Sequence, residues 1–194
     1  MGLLVIILGL VLFFGAHMFT TRREARARVI ASMGEGPYKI AYALVSLAGL
    51  VLIVWGFAHY RADGWIQVWT PPQVLKHLNI LLMLPAVILV VAAYIRGRIY
   101  ATLKHPMLAG VKLWALGHLL ANGDLGGIIL FGSFLAWAVF DRISLKRRTD
   151  PGSPPIPVGG VGNDLIAIAV GVVVYLALAF AFHPVVIGVP VMGS

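Results

Sequence analysis

Residues 2–28 read GLLVIILGLVLFFGAHMFTTRREARAR: nineteen uncharged residues, Gly2 to Thr20, followed by four Arg within positions 22–28. A secretory leader carries its basic residues before the apolar run and a small-residue cleavage site after it. This segment has the opposite polarity and no convincing cleavage site, so it reads as a retained transmembrane helix. The same apolar character recurs along the chain. A second run extends from about Tyr38 to Ala58. A third, from about Leu75 to Ile95, has Pro85 inside to kink it and stops at Arg96-Gly-Arg98. A last run covers Asp164 to Phe182 and ends in His183-Pro184. Two further runs, Lys104 to Ala121 and Leu125 to Phe140, are shorter and flank the polar tip Asn122-Gly-Asp-Leu-Gly-Gly127. They predict a hairpin of two short helices that need not cross the whole bilayer. The loops fall at 33–37, at 59–72 with Trp65 and Trp69 suited to a membrane interface, and at 149–162, rich in Pro and Gly.

A spanning helix needs roughly 20 apolar residues, so 194 residues hold about six spans and no separate soluble domain. The expected fold is an all-α, polytopic membrane helical bundle, a single integral membrane domain over 1–194. The composition agrees. The chain is 60% hydrophobic and 11% charged, against about 25% charged in a soluble domain, and its mean hydropathy is +0.95. The bilayer is the first partner this implies.

The formal charge of +8 does not imply a nucleic-acid partner, because 12 of the 15 basic residues lie in three clusters bordering apolar runs. Five fall in 22–39, three in 96–104 and four in 142–148, while the loop between the second and third runs has at most Arg61 and Lys76. The positive-inside rule puts the rich loops in the cytoplasm, and six spans then put both termini in the periplasm of a bacterial inner membrane.

Cysteine is absent, which removes disulfides, thiolate metal ligands and a cysteine nucleophile together. Dinucleotide-binding, P-loop, zincin and nucleophile-elbow motifs are absent as well. The anomaly is six His in so apolar a chain. His59, His77 and His183 lie near predicted helix ends, where an imidazole is ordinarily hydrated, and His105 precedes Pro106, where it would cap or fix a loop. His17 and His118 lie deeper.

Two intramembrane His on different helices are the minimum for axial ligation of a haem, since neutral imidazole is a common metal ligand. Both must then lie at one depth. His17 is five residues before Arg22, about 7 Å inside the cytoplasmic boundary. His118 is thirteen residues beyond His105, about 20 Å, which argues against the pair. Lys112 changes the estimate: a Lys in an apolar helix snorkels to the headgroups, and from there His118 is only about 9 Å deep. The competing pairs are His118 with His59 or His77. Lys112, Asn122 and Asp124 are further polar candidates, for propionates, protons or a substrate, with snorkelling and helix capping as their ordinary roles. Trp114 shares a helix face with His118 and can pack on a haem plane or simply in the core.

The run Lys104-His-Pro-Met-Leu-Ala-Gly-Val-Lys-Leu-Trp-Ala-Leu-Gly-His118, with Asn122-Gly-Asp124 and Leu130-Phe-Gly-Ser-Phe-Leu-Ala-Trp137, resembles the NnrU family of bacterial membrane proteins. Leu12 to His17, Phe57 to Gly64 and Phe182-His-Pro184 resemble its flanking segments. The resemblance implies a role in denitrification and nitric-oxide metabolism. The family is also similar to the 15-cis-zeta-carotene isomerases of plants and cyanobacteria, which isomerise a polyene on haem b. That similarity implies haem ligands at His17 and His118, with His59 and His105 as further family histidines. Where the isomerases carry Cys this chain has Ala115, so a thiolate ligand switch is not available. Methanethiol S-methyltransferases are more distant relatives, and no nucleotide-type signature supports methyl transfer.

The expectation is therefore a b-type haem protein acting in nitrogen-oxide metabolism. The alternatives are a haem-dependent cis-trans isomerase of a hydrophobic small molecule, and a cofactor-free scaffold subunit of a respiratory complex that meets a redox partner.

Overall fold

The computed structural model describes residues 1–148 and 157–191; the loop expected over 149–162 lies, as far as 156, outside the described residues. Among the described residues the chain is helical: α1 (Gly2–Thr21), α2 (Arg23–Met33), α3 (Glu35–Ala62), α4 (Gln73–Ala92), α5 (Arg98–Leu103), α6 (Pro106–Ala121), α7 (Leu125–Arg147) and α8 (Val161–Ala177). The last continues as a π-helical segment, Leu178–Ile187. Five helices among the described residues are long and apolar enough to cross a membrane: α1, α3, α4, α7, and α8 with its continuation. The protein is a multi-pass helical membrane bundle.

Several boundaries differ from the sequence reading. The basic cluster after Thr21 is itself helical, because its Arg, Ala and Glu residues are good helix formers once the chain turns at Arg22. The helix at Leu125 runs seven residues past Phe140, and its polar last turns are held by Arg148 donating to Asp141 at 3.3 Å and Ser144 at 3.1 Å. By contrast α6 has only 16 residues, about 24 Å of helix against a hydrocarbon core of about 30 Å. The end of the last span is no simple terminus either, since His183 and Pro184 lie inside the π-helical segment.

The chain divides into two compact units, Met1–Thr70 with Gly123–Ser133, and Pro71–Asn122 with Phe134–Ser194. In the first, α1 and α3 run antiparallel on a glycine seam: Gly2 faces the backbone of Gly56 and Tyr60, and Gly9 that of Gly49 and Ile53. Small residues let helix backbones approach closely where lipid supplies no hydrophobic drive for association. The connection after α3 is pinned by backbone bonds: Leu125 donates to Ile66 at 2.9 Å, and Val68 and Trp69 donate to Gly123 at 2.8 and 3.1 Å. The Tyr60 hydroxyl accepts the Ile66 N–H at 2.9 Å. Trp65 and Trp69 stay exposed, as an interfacial loop requires.

In the second unit α6 and α8 both pack antiparallel on α4. Gly110 meets Ala86 and Val90, Gly117 meets Asn79 and Met83, and Gly171 meets Ile88. The Asp164 carboxylate, buried at the start of α8, accepts the N–H groups of Arg98 and Ile99 at 3.0 Å each. It thereby satisfies the orphan donors that open α5.

Candidate functional site

Helix α6 begins with Pro106 in its first turn, where the missing N–H is not needed. His118 comes in its last turn, half-buried. Its Nδ1 lies 2.8 Å from the Trp114 carbonyl. A carbonyl only accepts, so in the neutral ring Nδ1 carries the hydrogen and Nε2 carries the lone pair. The Trp114 ring is 5.3 Å from the His118 ring and packs edge-on against Phe134. Asn122 closes the helix by donating both its backbone N–H, at 2.9 Å, and its side-chain amide, at 2.8 Å, to the His118 carbonyl.

Beside His118 stands His183, with ring centres 6.4 Å apart and planes 24° apart. The sequence placed His183 near a helix end; the structure sets it beside His118. Pro184 has no N–H to give an α-helical ladder, and the chain winds there as a π-helix. The wider turn sets the Leu178 carbonyl, five residues back, 2.9 Å from His183 Nδ1. The signal in the sequence was a His-Pro pair within an apolar run. Asn79, also missed, packs against Gly117 on the facing helix, its Oδ1 buried without a hydrogen-bond partner. It is the one amide in the apolar stretch Leu78 to Ile95, which marked it.

The other candidates lie as follows. His17, in the first unit, holds Nδ1 2.6 Å from the Phe13 carbonyl, stacks on Phe13 at 4.2 Å and lies 5.4 Å from Tyr42. His59, in the same unit, is exposed and packs edge-on against Trp55. His77 is exposed on α4, where its Nε2 is 3.4 Å from the Gln73 amide. His105 occupies the N-cap position of α6 without a side-chain cap bond. Partial burial, followed by the charge of Arg142, holds its imidazole below the ordinary value of 6.5. Lys112 is half-buried on α6. Asp124 caps α7, its Oδ1 accepting the Gly127 N–H at 2.8 Å.

Among the described residues no group of three or more His, Cys, Asp or Glu gathers to hold a bare metal ion. A porphyrin brings four nitrogens of its own and asks the protein only for axial donors. His118, with its tautomer fixed through the Trp114 carbonyl, fits that requirement.

Comparison with curated proteins and with solved structures finds no match. Comparison with protein families matches the NnrU family, described as "NnrU protein", over residues 5–191. With nearly its whole length matched, the chain belongs to the NnrU family.

Proposed function

We propose that this NnrU-family protein carries one b-type haem on His118 and acts in nitrogen-oxide metabolism, as a redox or gas-handling protein of the bacterial inner membrane. The observation that carries the reading is the His118 imidazole itself: half-buried in an apolar bundle and held by the Trp114 carbonyl so that Nε2 keeps its lone pair. When bound, the haem supplies an iron that exchanges one electron or takes a small ligand. The chain does the rest. The carbonyl of Trp114 fixes the tautomer and raises the basicity of the ligating nitrogen, the Trp114 and Phe134 rings hold the imidazole in place, and the apolar helices exclude water. Family membership supports the nitrogen-oxide role. The basic clusters support an orientation with 22–39, 96–104 and 142–148 on the cytoplasmic face.

The test is an oxidised and a dithionite-reduced absorption spectrum of the detergent-purified chain expressed with haem supply. A Soret band that shifts on reduction is expected, and His118→Ala should abolish haem retention while the helical circular dichroism is kept. A wild-type protein without a Soret band, or a His118→Ala variant with full haem occupancy, defeats the reading. The first of these results leaves a cofactor-free scaffold in its place.

A further inference from the structure

The reading above needs one histidine; the structure holds a second beside it. The geometry points to His183 as the axial partner of His118, so that both faces of the iron are taken by histidines of the same compact unit. This inference rests on the haem reading of the preceding subsection and selects its redox form, since an iron with both faces taken leaves no open position for a small ligand.

Three observations carry it. The first is hydrogen bonding. Nδ1 of His183 lies 2.9 Å from the Leu178 carbonyl and Nδ1 of His118 lies 2.8 Å from the Trp114 carbonyl. Each Nδ1–H is committed to an oxygen that only accepts, so each neutral ring keeps its lone pair on Nε2. Two such rings cannot hydrogen-bond to one another through Nε2 unless one gives up its backbone bond or the pair takes up a proton. They can share an electrophile.

The second is separation. Metal–nitrogen bonds of about 2 Å on either side of one metal put the centres of two coaxial imidazoles about 6 Å apart. The observed ring centres are 6.4 Å apart. An N–H···N hydrogen bond of about 3 Å would draw coaxial rings roughly an ångström closer. The 24° between the planes is compatible, because ligated rings turn freely about the axis they share.

The third is the backbone under His183. A π-helical turn is uncommon and recurs at functional sites. Here it sets the carbonyl five residues back, rather than four, against the ring. His118 projects from α6, which meets α4 through Gly117 and Asn79, and His183 from the π-helical continuation of α8, which meets α4 through Tyr175, whose hydroxyl donates to the Ile80 carbonyl at 3.4 Å.

The experiment compares the full-length, haem-loaded wild type with His183→Ala, His183→Met and His17→Ala in detergent, by absorption, low-temperature EPR and redox titration. We expect His183→Ala to lose the sharp reduced α band and convert its ferric EPR signal from low to high spin, with added imidazole restoring the low-spin form. His183→Met should stay low-spin with a raised midpoint potential, since a thioether axial ligand favours the reduced iron. It decides the matter if His183→Ala retains no haem. His17→Ala should remain low-spin. A His183→Ala variant spectroscopically identical to wild type, or a His183→Met variant with an unchanged potential, overturns the assignment and leaves the haem on His118 standing. A wild type without haem overturns both readings, which separates the two failures.

Discussion

His105 shows how one side chain acts through its surroundings. It stands where the chain turns from the positive-φ residue Lys104 into α6, partly buried, with Arg142 as the chief neighbouring charge and Asp141 acting in the opposite sense. Burial comes first among the causes that hold its imidazole below 6.5. In the unfolded chain the ring takes its proton near 6.5, so as pH falls through that value the unfolded state binds the proton first. Stability is therefore complete above about pH 6.5, declines below it, and levels off once the pH passes the lower folded value. His105→Gln should flatten this part of the profile. Thermal unfolding in detergent between pH 7.5 and 5 checks it, and an unchanged slope in the variant would contradict the assignment. At this scale the candidate site was partly legible: the six His stood out because ionisable groups are rare in apolar runs. Their division into roles was not, because His118 and His183 are 65 residues apart and only folding brings them together.

Among the elements, the α1 and α3 pair depends on close approach. A Cβ added at Gly9 would lie 2.7 Å from the Ile53 backbone nitrogen, whereas one at Gly15 would meet nothing within 4 Å. Gly9→Val should destabilise the first unit by about 1–3 kcal/mol, as overpacking a filled contact does. Gly15→Val should stay within about 0.5 kcal/mol of wild type. Thermal stability of the two variants, followed by size exclusion in detergent, distinguishes them; equal effects would mean that the seam is not the constraint. Element type was readable throughout, because long apolar runs between basic clusters permit little but helix in a bilayer. Lengths were less so. The helix α7 continues through polar residues that Arg148 ties together, and α8 passes into a π-helix at Leu178, and neither follows from hydropathy.

For the molecule as a whole, the question is which connections share a membrane face. In the first unit the α3 to α4 connection is hydrogen-bonded to Gly123–Leu125, so the tip before α7 lies at the same end as that loop. Within the second unit α4 and α6 run antiparallel, so the α4–α5 connection and the start of α6 lie at one end of that pair. Because the chain has no cysteine, single thiols report sidedness without background. Ala27→Cys, Thr102→Cys and Lys146→Cys should be labelled by an impermeant reagent only from the cytoplasmic face, and Asp63→Cys only from the other. Labelling of Ala27→Cys and Thr102→Cys from opposite faces would refute the orientation.

The sequence by itself determined that this is a multi-pass helical membrane protein of the NnrU type. Those properties come from sums over many residues, hydropathy along each run and charge between runs, and from one contiguous motif around His118. What only the tertiary structure decided is which polar groups meet: His183 against His118, Asn79 against Gly117, and Asp164 on the first turn of α5. Each is a contact between helices, fixed by the rotation and register at which small residues let the backbones approach, and no property of a single run encodes that register.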